Sequence, residues 1–145
     1  MLGMRNYSRE YVDDCRARVD LDLRAYKTMV AAAKGNAGSG KALPDSAVKD
    51  HEHRFFNNMI LLLDYFFVHR LRMVEGKDGN PLNEVRVLCD SILHNQGRMG
   101  SDKSIKLTPA KSVLKHQVGD EIKLSHEDFL LLSKAFFAEI ENKYV

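Results

Sequence analysis

Arg86, Asp90 and His94 stand four residues apart within the stretch LNEVRVLCDSILH, a spacing that sets all three side chains in one row if the stretch is helical. An arginine, a carboxylate and an imidazole converging on a phosphate ester form a catalytic set. The imidazole moves a proton while the guanidinium neutralises charge developing on the phosphate. The same row also reads as a solvent-facing ladder, Arg86 to Asp90 and Asp90 to His94. In that role each pair stabilises the helix by about 0.2–0.5 kcal/mol, and His⁺ is favoured near a helix C-terminus.

Other polar residues offer less. His51 and His53 are two apart, so on a helix they point in different directions and lack the i, i+4 pairing of helical metal ligands. The chain has neither CxxC nor HExxH, and no metal and no cofactor are expected. Asp64 lies inside the apolar stretch MILLLDYFFV; such a carboxylate pairs with an arginine, Arg70 or one from another helix, or else faces solvent. The string GNAGSGK from Gly35 to Lys41 has the GxxxxGK spacing of a phosphate-binding loop, but the hydroxyl position that would hold magnesium is Ala42. Its upstream neighbours read as helix instead of the buried strand such a loop leaves, and Pro44 follows closely. Residues 35–44 are therefore read as a glycine-rich linker with no nucleotide bound at 35–42.

From Arg98 to Val118 the basic residues Arg98, Lys103, Lys106, Lys111 and Lys115 face one acid, Asp102. Arg98, Lys103 and Lys106, following His94, would suit a salt-sensitive RNA-backbone surface. Lysines on an exposed strand edge also deter edge-to-edge aggregation, and no aromatics are interleaved to stack bases.

The elements that must position these residues read as helices. In a chain of 145 residues that is 44% hydrophobic, one domain spanning 1–145 has enough material for a core without disulfides or metal. Twenty-two basic and 20 acidic residues leave a formal net charge of +2, so nothing resembles a polybasic coat and any binding must come from local patches. Cys15 and Cys89 are far apart on apolar stripes, as buried thiols of a reducing compartment are. The opening MLGMRNYSREYVDDC has acids where a leader peptide needs an apolar run, and MILLLDYFFV is too short to span a bilayer. A soluble, cytoplasmic protein with no membrane partner is the expectation.

Val12, Cys15, Val19, Leu23, Tyr26 and Val30 recur every three or four residues, predicting a first helix from Arg9, behind a Ser8 cap, to Lys34. A second helix, capped by Asp45 or Ser46, is predicted to run to Glu75 and end at Gly76. Its centre, Phe55 to Leu71, is apolar on nearly every side. It is either the central helix of a bundle or a surface buried against a second copy through Phe55, Phe56, Phe66 or Phe67. Asn80 and Pro81 start a third helix reaching His94. The segment SIKLTPAKSVLKHQVGDEIKLS loses the helical period and predicts one or two short strands or a small hairpin. Ser125, with Asp128 as its capping-box partner, opens a last helix whose inner stripe is Phe129, Leu132, Phe136 and Ile140. The fold class is mainly α: an antiparallel four-helix bundle with a small extended excursion before the last helix.

The stretches LNEVRVLCDSILHNQG and VGDEIKLSHEDFLLLSKAFFAEIENKYV together resemble the HEPN superfamily of small helical proteins. In many members a helix ends in an Arg-Asn-x-x-x-His motif, followed by a turn, a polar insert and a final amphipathic helix. The resemblance covers residues 82–145 and implies a helical bundle, usually a homodimer. In active members it also implies a metal-independent RNA-cleaving site where two copies of the motif helix meet. The motif His falls on His94 and the turn on Asn95 to Gly97. The family's Arg position is Cys89 and its Asn position Asp90, while Arg86 lies a turn further away on the same face. On this reading the chain is a degenerate, non-catalytic HEPN-like homodimer that binds RNA or a protein partner. The alternatives are a ribonuclease of toxin or defence type using His94, Arg86 and Asp90, and a purely structural dimerisation module.

Overall fold

A computed structural model describes residues 7–35, 44–68, 81–100, 105, 107 and 112–145. Among these residues four α-helices share one hydrophobic core: α1 (Arg9–Gly35), α2 (Asp45–Leu63), α3 (Pro81–His94) and α4 (His126–Tyr144). The protein is thus mainly helical, and among the described residues no helix is long and apolar enough to cross a membrane.

The local signals at the helix starts act as their chemistry dictates. Ser8 Oγ accepts the Tyr11 N–H at 3.1 Å, satisfying one of the donors that the first turn of α1 leaves unpaired. At α4 the capping box is complete: Asp128 N–H donates to Ser125 Oγ at 3.0 Å and Ser125 N–H to Asp128 Oδ2 at 3.1 Å. The start of α2 differs from the sequence expectation. Pro44, at φ −59° and ψ 150°, takes the cap position, and its carbonyl accepts the Ala47 and Val48 amides. Asp45 therefore lies in the first turn, where its charge favours the helix dipole without capping it.

Beyond Leu63 the helix widens into a π-helical turn, Asp64–Val68. Residues 69–80 lie outside the described part, and with them the expected end at Glu75 and the Asn80 cap. Tyr7, just before α1, and Tyr11, in its first turn, brace the π turn, the Tyr7 hydroxyl donating to the Phe67 carbonyl at 2.6 Å and the Tyr11 hydroxyl to the Phe66 carbonyl at 2.8 Å. Carbonyls at such an irregular turn need outside donors.

The aromatic belt of this helix is core. Phe56 and Phe67 are completely buried and Phe66 nearly so, while Phe55 is half-buried with its ring stacked 4.8 Å from Tyr26. Phe67 meets Phe136 and Phe137 of α4 at 5.5 and 5.6 Å, and Phe56 meets Phe129 at 5.6 Å. Helices of the same chain already cover these rings, each burial being worth roughly 1.5–3 kcal/mol. Of Phe55, Phe56, Phe66 and Phe67, only Phe55 retains appreciable exposure within the chain.

Among the described residues the excursion before α4 holds no strand, only one antiparallel bridge between Arg98 and Glu121. Met99 N–H donates to the Asp120 carbonyl, Gly119 N–H to that of Met99, and Ile122 N–H to that of Gly97. The extended chain leading into α4 is then fixed by polar side chains of α2. Asn57 Nδ2 donates to the Ile122 carbonyl at 2.8 Å while its Oδ1 accepts the Leu124 amide at 3.2 Å, and Glu52 Oε2 accepts the His126 amide at 2.8 Å. One asparagine here does what a neighbouring strand would do, which is why β-branched residues can lie extended without a sheet.

Candidate functional site

Arg86, on the middle of α3, reaches across to the π turn of α2. Its Nη1 lies 3.1 Å from Asp64 Oδ1 and 3.0 Å from Oδ2, and its Nη2 lies 3.0 Å from Asp90 Oδ1, one turn along α3. Asp64 is the first residue of the π turn, and its side chain is only 7% exposed. Burial works against the Arg86 charge, but Asp64, its hydrogen bonds and Asp90 outweigh it and raise the guanidinium above its ordinary value. Both terminal nitrogens are therefore committed to carboxylates.

Cys89 lies between them in sequence and is buried. Burial first, then the charges of Asp64 and Asp90 and a hydrogen bond to Asp64, push its thiol up to about 12, with Arg86 opposing. It is an inert thiol at neutral pH.

The row expected on α3 is half realised. Arg86 and Asp90 pair, but His94 is exposed at the end of the helix and, among the described residues, makes no hydrogen bond or ion pair. Beyond it the chain reverses through Gln96 (φ 56°) and Gly97 (φ 73°), with Gly97 N–H reaching back to the Ser91 carbonyl at 3.2 Å. Gly97 is the residue suited to that left-handed backbone. Arg98 is exposed and donates from Nη1 to the Gly119 carbonyl at 3.3 Å. Lys103 and Lys106 lie outside the described residues, as does the glycine string from Asn36 to Leu43. Helix α1 runs up to Gly35, so helix leads into that string.

Sequence reasoning missed a second buried carboxylate. Glu84, 1% exposed, accepts the Val113 amide at 2.6 Å and the Leu114 amide at 2.9 Å, one on each oxygen. Burial raises its pKa, opposed by the two backbone hydrogen bonds and by nearby His116. The His116 Nδ1 is buried without a hydrogen-bond partner among the described residues. The available signal was the helical spacing of Glu84 from Leu88 and Ser91, both buried. Its partners are backbone amides, which have no sequence signature.

Two further arrangements bear on function. An apolar cleft of about 160 Å³ lined by Met29, Val30, Ala33, Val48 and His51 lies between α1 and α2 and shares no residue with the Arg86 cluster. Among the described residues, no group of three or more His, Cys, Asp or Glu side chains is placed to hold a metal ion. The Arg86 cluster can orient α3 against α2, with both terminal nitrogens of its cation held by carboxylates. The chain matches no protein-family model, no curated protein and no solved structure.

Proposed function

We propose that this chain is a non-catalytic, HEPN-like helical domain that acts by binding RNA or a protein partner and works as a homodimer. One observation carries the non-catalytic part: the only arginine on α3 is held by Asp64 and Asp90. A guanidinium so held shares its charge with two carboxylates, which leaves less of it to neutralise a phosphorane-like transition state. Exposed His94, with no residue orienting its ring among those described, lacks the partner that general acid–base chemistry needs. Fold resemblance supplies no chemistry in the absence of such a site.

The test is incubation of the purified protein and a His94→Ala variant with total RNA in the presence of a chelator. Intact RNA with both supports the binding reading. Cleavage by the wild type that is lost in the variant overturns it. A gel-shift titration with the same RNA at two salt concentrations separates the ligands, since backbone binding weakens steeply with salt and a protein-directed surface leaves the RNA unshifted.

A further inference from the structure

The outer face of α4 carries a pattern that complements itself. Leu130 and Leu131 are 43% and 59% exposed, and Glu127, Lys134 and Ala138 are exposed beside them. At about 100° per residue these five fall within an arc roughly 100° wide, with Glu127 and Lys134 lying angularly between the two leucines. Glu127 and Lys134 are about 10.5 Å apart along the axis, too far to pair within the helix. Neither forms an ion pair among the described residues, although Lys143 and Glu139 on the same helix do.

We infer that a second copy of this chain docks on this face with the two α4 helices antiparallel and a two-fold axis between Leu130 and Leu131. The inference deepens the homodimer part of the proposed function and rests on it. About that axis the Leu130 and Leu131 side chains of both protomers gather at the dyad, and Glu127 of each meets Lys134 of its partner, so one apolar centre is flanked by two equivalent opposite-charge pairs. An isologous interface requires this reciprocity: whatever residue i meets must itself meet i on the other protomer. The sequence positions satisfy it because 127 and 134 are equally distant from the midpoint of 130 and 131. Parallel helices in register would instead set Glu127 against Glu127 and Lys134 against Lys134. Like charges so placed disfavour that arrangement.

The experiment is sedimentation equilibrium over a rising concentration series of the full chain. The wild type is expected to approach twice its monomer mass of 16.5 kDa, and Leu131→Asp to remain monomeric with an unchanged helical circular dichroism spectrum. Glu127→Lys and Lys134→Glu, each alone, convert both pairs to repulsive ones and weaken association by about tenfold or more. The double variant Glu127→Lys/Lys134→Glu restores it, as does an equimolar mixture of the two single variants. A wild type that stays monomeric overturns this face and the homodimer reading together. A wild-type dimer that Leu131→Asp or the single charge reversals leave intact overturns this face alone. Failure of the mixture to recover overturns the antiparallel arrangement. None of these outcomes depends on whether RNA is cleaved.

Discussion

Arg86 holds Asp64 through one nitrogen that bridges both carboxylate oxygens, at 3.1 and 3.0 Å, across 22 residues of sequence. The contact ties the middle of α3 to the point where α2 loosens into its π turn. A carboxylate at that point of the core has little access to water, and the arginine supplies its counter-charge and hydrogen bonds.

Breaking that pair from one side should therefore cost more than removing it whole. Arg86→Met leaves Asp64 buried without its cation and is expected to lower stability by roughly 2–4 kcal/mol, whereas Asp64→Leu/Arg86→Met recovers most of the loss. Urea unfolding of the wild type, both single variants and the double variant measures the coupling. Strictly additive losses would show that the contact does not matter energetically.

Cys89 should be silent toward thiol reagents in the folded protein. With its thiol near 12, the thiolate fraction at pH 8 is on the order of one in ten thousand. In a Cys15→Ala background, a colorimetric thiol titration is expected to detect Cys89 only after denaturant is added. Asp64→Asn removes one of the negative charges that raise the thiol and should speed native-state labelling. Labelling of the native parent as fast as the unfolded chain would contradict this environment.

The features legible in the sequence were those decided within a few residues. Ser8 and the Ser125–Asp128 box could be read because a cap and its amide are three positions apart. The buried stripe of Val12, Cys15, Val19 and Tyr26 could be read because helical period and burial coincide. Asp64 was recognisable as a carboxylate needing an arginine, but that Arg86 meets it depends on how two helices cross, which no local pattern encodes. The row on α3 suggested that Arg86 and His94 work together. Instead the longer-range attraction of a buried carboxylate turned the arginine elsewhere. What covers the aromatic belt was not legible for a similar reason: Tyr7 and Tyr11 come from one end of the chain and Phe136 and Phe137 from the other. Asn57 and Glu84 gave no sign of their roles, because each binds backbone.

Glu84 should make stability depend on pH in a defined direction. Its carboxyl is raised on folding, chiefly by burial, so the folded state binds the proton more tightly than the unfolded chain. The stabilisation linked to that proton is fully present below the ordinary carboxylate value of 4.5 and is lost as pH rises through the higher folded value. Thermal melts of the wild type and Glu84→Gln across that window should give a difference curve in which the wild type loses ground to the variant as pH rises. A flat difference would mean that the amides of Val113 and Leu114 cancel the effect of burial, and one sloping the other way that they outweigh it.

Asn57 offers the sharpest test of how the extended segment is held. Asn57→Ala removes the donor to the Ile122 carbonyl and the acceptor of the Leu124 amide, and leaving such groups unpaired costs about 1–3 kcal/mol. The loss should be local before it is global, because α3 keeps its own contact with Asp64 and α4 keeps its capping box. Amide exchange resolved by residue is expected to show the Leu124 amide losing protection first while the amides in the middle of α3 stay slow. Leu124 exchanging as slowly as in the wild type would show that the His53 contact to the Leu124 carbonyl and the Glu52 contact to the His126 amide hold the segment without Asn57. Equal acceleration throughout the chain would show that the segment and the helices open as one unit.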